Sequence, residues 1–252
     1  MKVYREKALR SQADDPIKAL LNMWHDICRS RIGESVEVMI AGRRDHPRLA
    51  SYPGELNTAA PMRVEGKLAL VLFFDSLLHV NPILVSHELG HWILKLQDFR
   101  TLRYRPDEHS NTEIYLNSMI HHVPLYALQR SVGHDPQDEV DSRCLHNLRL
   151  FSKQGEPSAR HLWADNALLL SDDLLNCAPS NRTAVLNVIG SKHPHTSQLV
   201  RNILGQAESR DLLLPDQNLA FAREVVDRLE LPGEWLLLDE STELVHLVRE
   251  NN

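Results

Sequence analysis

The segment that constrains this chain most runs from Asn81 to Leu96. Asn81-Pro82 has the composition of a helix start: an amide side chain to accept from the first free N–H groups, and a proline whose missing N–H costs nothing in the first turn. Ile83, Leu84, Leu89, Trp92, Ile93 and Leu96 then occupy most of the helix circumference, and a helix apolar nearly all round belongs in a core. Its polar exceptions, Ser86, His87, Glu88 and His91, therefore need partners there. Just before it, Leu68 to Phe74 is an unbroken apolar run whose length suits a buried strand. Val64-Glu65-Gly66-Lys67 ahead of that run reads as a tight reversal.

His87-Glu88-Leu89-Gly90-His91 is an H-E-x-x-H pattern. Residues four apart share a helix face, so both imidazoles can reach one ion while Glu88 points at its open position. Zinc held by three protein ligands keeps a water in the fourth position, and a neighbouring carboxylate can take that water's proton. The competing interpretation is a pair of core histidines satisfied by backbone carbonyls.

A third ligand has to come from elsewhere in the chain. The extended pattern with a third histidine fails, because Leu94 and Gln97 stand at its Gly and His positions. Glu113, near the start of the next predicted helix (110–120), is the favoured candidate. Asn117, one turn on, would accept the remaining N–H of a metal-bound imidazole. Ser110-Asn111-Thr112-Glu113 also spells a capping box, in which Glu113 would bond back to its own helix start. Glu139 and Asp141, then His109, His121 and His122, are the rival ligands. His121 lies on the Glu113/Asn117 face and could donate to the oxyanion of a hydrolytic intermediate, although a helix-end histidine favoured by the dipole has the same spacing.

With these residues in view, the chain resembles the ImmA/IrrE-like zinc metallopeptidases, small HExxH gluzincins. The resemblance is carried by His87-Glu88-Leu89-Gly90-His91 and by Glu113-Ile114-Tyr115-Leu116-Asn117-Ser118-Met119-Ile120 with Pro124 after it. It implies zinc on His87, His91 and Glu113, Glu88 as catalytic base, and cleavage of a transcriptional regulator. Leu116 stands where that family usually has Ala, Met119-Ile120 where Phe-Ala is common, and Pro124 comes about two residues early. The similarity covers roughly residues 60 to 125.

Around this centre the organisation is plain. Asp15-Pro16 opens an amphipathic helix with Ile17, Leu20, Leu21, Trp24 and Ile27 on one face, and Val36, Val38 and Ile40 alternate as a half-buried strand ending at Gly42. Pro124 is expected to end or kink the helix after Glu113. Gly155 and Pro157 mark a linker, and the leucine-rich stretch beyond it reads as several short helices. The net charge of −6 resides from residue 159 onward, the earlier part being balanced, so neither part has a basic nucleic-acid footprint. The Arg43/Arg44/Arg48 and Arg100/Arg103/Arg105 clusters read as solvated loops, and His193-Pro194-His195 as an exposed turn. Cys28, Cys144 and Cys177 lack CxxC spacing and read as core residues. No apolar run reaches the roughly 20 residues of a membrane span, and the first twenty residues hold no signal-like apolar stretch.

These features predict an α+β fold: an N-terminal helix (1–30) packed on a zincin-like, minimal gluzincin core (31–155), in which a small sheet packs on the HExxH helix, and an all-helical C-terminal region (156–252). The expected activity is that of a cytoplasmic zinc endopeptidase acting on a protein or peptide, with the Leu68–Phe74 strand offering an edge to the substrate backbone. The alternatives are a non-catalytic metal-containing regulatory or binding protein and a small-substrate aminopeptidase.

Overall fold

The computed structural model describes residues 3–50, 57–77, 81–105, 111–231 and 233–238, without the side chains of Pro47 and Arg48. The fold is α+β. The chain divides into two compact units, residues 1–98 with 128–134 and 239–252, and residues 99–127 with 135–238. The expected boundary at residue 155 falls inside the second unit, between two of its helices.

The first unit is built on a four-stranded sheet. Its elements in chain order are β1 (Val3–Tyr4), α1 (Glu6–Gln12), α2 (Asp15–Ile32), β2 (Glu37–Gly42), α3 (Pro47–Ala50), β3 (Thr58–Val64), β4 (Lys67–Phe74) and α4 (Pro82–Leu96). Strand order is β1-β2-β4-β3, with β2 and β4 parallel and the outer pairs antiparallel. β4 is therefore internal, hydrogen-bonded on both sides, and cannot present an edge to a substrate. That position also explains its unbroken apolar run, since a central strand covered on both faces has no polar alternation. Leu70, Leu72 and Phe74 face one core, Ala69, Val71 and Phe73 another. Glu65 and Gly66, both at positive φ, form the reversal between β3 and β4, as two-residue hairpin turns demand.

The first of those cores joins the sheet to two helices. Ile17, Leu20, Leu21, Trp24 and Cys28 of α2 and Val85, Leu89, Trp92, Ile93 and Leu96 of α4 close over Val38, Ile40, Leu70 and Leu72. Asp14, one residue before the expected cap, accepts from the Ile17 N–H at 3.0 Å and starts α2. Asn81 does the same for α4 through the Ile83 N–H at 2.9 Å.

The second unit comprises β5 (Thr101–Arg105), α5 (Thr112–Ser131, whose last turn belongs to the first unit), α6 (Gln137–Lys153), α7 (Arg160–Asn176), α8 (Pro179–Lys192), α9 (Pro194–Glu208), α10 (Pro215–Leu229) and β6 (Glu234–Leu238). Its core joins Leu102 of β5, Leu116, Met119 and Ile120 of α5, and Cys144 and Phe151 of α6 to apolar side chains of α7 to α10. The C-terminal region is not all-helical. β6 pairs antiparallel with β5, with Tyr104 stacked on Trp235 at 4.5 Å. A leucine run this short fits either helix or strand, and pairing with β5 decides it.

Pro124 does not end α5, which continues seven residues past it. A proline inside a helix leaves the carbonyl four residues back without its N–H partner. That carbonyl, of Ile120, instead accepts from Asn218 Nδ2 of α10 at 2.7 Å, and Asn218 is 1% exposed.

Candidate metal centre

On α4 of the first unit, His87 and His91 stand one turn apart, both half-buried, rings edge to face with centroids 4.8 Å apart. Their Nε2 atoms are 3.2 Å from each other. Two nitrogens bound at 2.0–2.1 Å to one tetrahedral ion lie about 3.3 Å apart, so the pair fits two positions of such an ion. Glu88 stands beside His87, and burial pushes its carboxyl up to about 7 against a small opposing pull from Lys95. Ser86, the remaining polar exception, donates to the Ile83 carbonyl and accepts from Gln129 Nε2 at 2.7 Å. Gln129 also donates to Ile83.

In the second unit, the face of α5 expected to serve the metal serves β5 instead. Glu113 Oε2 accepts from the Tyr104 N–H at 3.0 Å. Asn117 accepts from the Leu102 N–H through Oδ1 at 2.9 Å and donates to the Leu102 carbonyl through Nδ2 at 2.7 Å. His121 Nε2 bonds the Arg100 carbonyl at 3.0 Å. Four residues of helix advance about 6.0 Å and two residues of strand about 6.6 Å, so side chains at i, i+4 and i+8 meet every second residue of the strand. The helix thereby acts as a polar neighbour along β5. Both ends of the Asn117 amide are used on Leu102, which replaces the expected bond to a metal-bound imidazole. His121 spends its Nε2 on a backbone carbonyl rather than on an oxyanion. Ser110 and His109, the expected capping partner and one rival ligand, lie outside the described residues.

His122, the next residue, faces a different environment. Its Nδ1 lies 2.9 and 2.8 Å from the two oxygens of Asp172 on α7, and its ring stacks on Tyr126 with centroids 5.1 Å apart. Arg143 of α6 binds Asp172 at 3.1 Å and Asp173 at 2.6 Å, and donates to the Tyr126 hydroxyl at 3.2 Å. Asn147 Nδ2 donates to the second oxygen of Asp173 at 2.7 Å. Among the described residues, His87, His91 and His122 are the group that could hold a metal ion, and Glu113 is not part of it.

The other candidates lie apart from this group. Glu139 is exposed on α6, and Asp141 accepts from the Ala178 N–H at 2.8 Å, a bond that keeps its carboxyl below the usual range. His193 is buried and bonds the Phe151 carbonyl, while His195 bonds Glu156 and stacks on Trp163. Arg43 is buried, paired with Asp75, and not a solvated loop residue. The residues that sequence reasoning passed over are Asp172, Asp173 and Arg143. One signal was available: two adjacent carboxylates inside the apolar stretch Ala167–Leu175 require a cationic partner. Compared with models of protein families, with curated proteins and with solved structures, the chain matches none.

Proposed function

We propose that this protein is a metal-dependent peptidase with a zincin-like first unit, in which His87, His91 and His122 hold a divalent cation, zinc by preference, and Glu88 is the catalytic base. The observation that carries the proposal is the 3.2 Å separation of the His87 and His91 Nε2 atoms next to the half-buried Glu88 carboxyl. His122 is favoured over Glu113 as third ligand because it is the residue grouped with His87 and His91, whereas Glu113 Oε2 accepts from the Tyr104 N–H.

A zinc ion held by three protein ligands supplies a Lewis acid and lowers the pKa of a water to roughly 7. Glu88 takes the proton from the attacking water and returns it to the leaving amine; burial raises its proton affinity into the range where a carboxyl does both near neutral pH. The substrate class, a peptide bond in a cytosolic protein such as a transcriptional regulator, is supported by the ImmA/IrrE-like segments alone.

Metal analysis of the purified protein tests the ligand set. Wild type and the Glu113→Gln and Glu139→Gln variants are expected to retain one zinc per chain, and His87→Ala, His91→Ala and His122→Ala to lose it. Zinc lost from Glu113→Gln but kept by His122→Ala would restore the carboxylate ligand. Glu88→Gln is expected to keep the metal and abolish cleavage of a denatured protein substrate, and undiminished cleavage would refute the catalytic assignment.

A further inference from the structure

We infer that Ser35, His25 and Glu6 form a nucleophile–base–acid triad, a second hydrolytic centre within the first unit that acts on carboxylic esters. The inference is independent of the metal centre. Its residues come from three places in that unit: Glu6 opens α1, His25 lies in the middle of α2, and Ser35 stands between α2 and β2. Ser35 Oγ is 2.6 Å from His25 Nδ1, and His25 Nε2 is 2.8 Å from Glu6 Oε1. Burial opposes ionisation of Glu6, but hydrogen bonds from His25, the Val38 N–H and Arg10 outweigh it and hold the carboxyl at about 2, so it is charged at neutral pH. An ionised carboxylate only accepts hydrogen bonds, so in the neutral ring Nε2 carries the hydrogen. Nδ1 then offers its lone pair, and the Ser35 hydroxyl donates to it. That is the order of protons in which a histidine can activate a serine.

The surroundings hold each member in place. Glu6 Oε2 accepts from the Val38 N–H at 3.0 Å and Oε1 from Arg10 Nε at 2.6 Å, so the carboxylate keeps its position whether or not the ring is charged. Gly33, at φ +90°, ends α2 in the left-handed conformation and turns the chain back. Trp24 Nε1, donating to the Val36 carbonyl at 2.7 Å, holds the segment entering β2 against the helix. Exposure rises along the row from buried Glu6 through half-buried His25 to exposed Ser35, which puts the acid in the core and the nucleophile where an ester can reach it. Serines of this chain that only close a helical turn donate to a carbonyl three residues back, as Ser11, Ser131 and Ser191 do, whereas Ser35 bonds an imidazole ten residues away. In the reaction, Ser35 Oγ bonds to the ester carbonyl carbon as its proton passes to His25 Nδ1; the bond to the alcohol oxygen breaks, and the alcohol leaves with that proton. Water, deprotonated by the same nitrogen, then attacks the acyl group, and the acid departs as the proton returns to Ser35 Oγ. Glu6 stabilises the imidazolium that forms in each half. Esters suit this centre better than amides, because an alcohol leaves more readily than an amine.

The test uses the full chain with a metal chelator present throughout, which separates this centre from the proposed peptidase. Wild type is treated with a fluorophosphonate, digested and mapped by mass spectrometry. Hydrolysis of p-nitrophenyl acetate is followed for wild type, Ser35→Ala and His25→Gln, with circular dichroism of each protein alongside. The phosphonyl group is expected on Ser35. Both variants are expected to keep their helix content and to lose roughly 100-fold or more of the hydrolysis above buffer, the usual contribution of a positioned base. A Ser35 left unlabelled overturns the inference. So does a Ser35→Ala variant that retains more than about a tenth of the activity, since that hydrolysis would belong to the other histidines of the chain. Should His25→Gln fail to fold, the acyl-enzyme of wild type decides without a variant. Brief exposure to p-nitrophenyl acetate followed by acid is expected to leave an acetyl group on Ser35 Oγ; an acetyl group found only on histidine or lysine side chains refutes the assignment.

Discussion

Replacing Asn218 by alanine isolates the way α5 passes through Pro124. The Asn218 amide donates to two buried carbonyls, Ile120 at 2.7 Å and Leu212 at 3.2 Å. Each buried acceptor left without a donor costs about 1–3 kcal/mol, so Asn218→Ala should destabilise the protein by roughly 2–4 kcal/mol. The Ile120 share exists only because Pro124 lacks an N–H. In a Pro124→Ala background the alanine N–H can take up the Ile120 carbonyl, and the cost of Asn218→Ala should fall by about 1–2 kcal/mol. A double-mutant cycle measured by urea unfolding, with constant slope across the four proteins, reads that coupling directly. Independent sites add to within about 0.5 kcal/mol, so an equal cost of Asn218→Ala in both backgrounds would show that the amide does not stand in for the missing helical bond.

Other outcomes follow from the same contacts. Burial alone would raise the Glu6 carboxyl, but hydrogen bonds from His25, the Val38 N–H and Arg10 outweigh it and hold it at about 2. Its contribution of about 3 kcal/mol is therefore present above pH 4.5 and lost as pH falls toward 2; Glu6→Gln should be less stable than wild type at pH 7 by that amount and equal to it near pH 2. Glu88 has the opposite sign. Its raised pKa favours the folded, metal-free protein at pH 4.5 and below, and this advantage drains away as pH rises through 7. In the presence of a chelator, wild type should lose at most about 3 kcal/mol relative to Glu88→Gln between pH 4.5 and 8, the upper value because the side chain keeps some exposure; parallel pH profiles would contradict the burial of that carboxyl. Asn117→Ala should cost about 2–4 kcal/mol, from the orphaned N–H and C=O of Leu102, and leave zinc affinity within three-fold of wild type. A tenfold loss of affinity would return Asn117 to the metal.

Local signals were legible where neighbours in sequence decide the outcome. Asn81-Pro82 starts α4 because the cap and the N–H it binds are two residues apart, and Glu65-Gly66 turns the hairpin because both positions need positive φ. The pairing of His87 with His91 follows from helical pitch alone. The absence of polar alternation from Leu68 to Phe74 marked a buried strand, yet its place inside the sheet depended on β2 and β3, which no local pattern specifies.

The division of labour along α5 could not be read in this way. Glu113, Asn117 and His121 share one face at helical spacing, a pattern that suits ligands to a metal and donors to a strand equally well, since steps of about 6.0 and 6.6 Å nearly coincide. Only the arrival of β5 settled what that face binds. His122 of α5 acquires its partner from Asp172 of α7, fifty residues further on. Sequence alone determined a buried helix carrying two imidazoles and a carboxyl within one turn, because that depends on helix geometry. Tertiary structure decided which partners the polar side chains of α5 receive, because hydrogen-bond partners in a core are allotted by long-range contacts that no local pattern specifies.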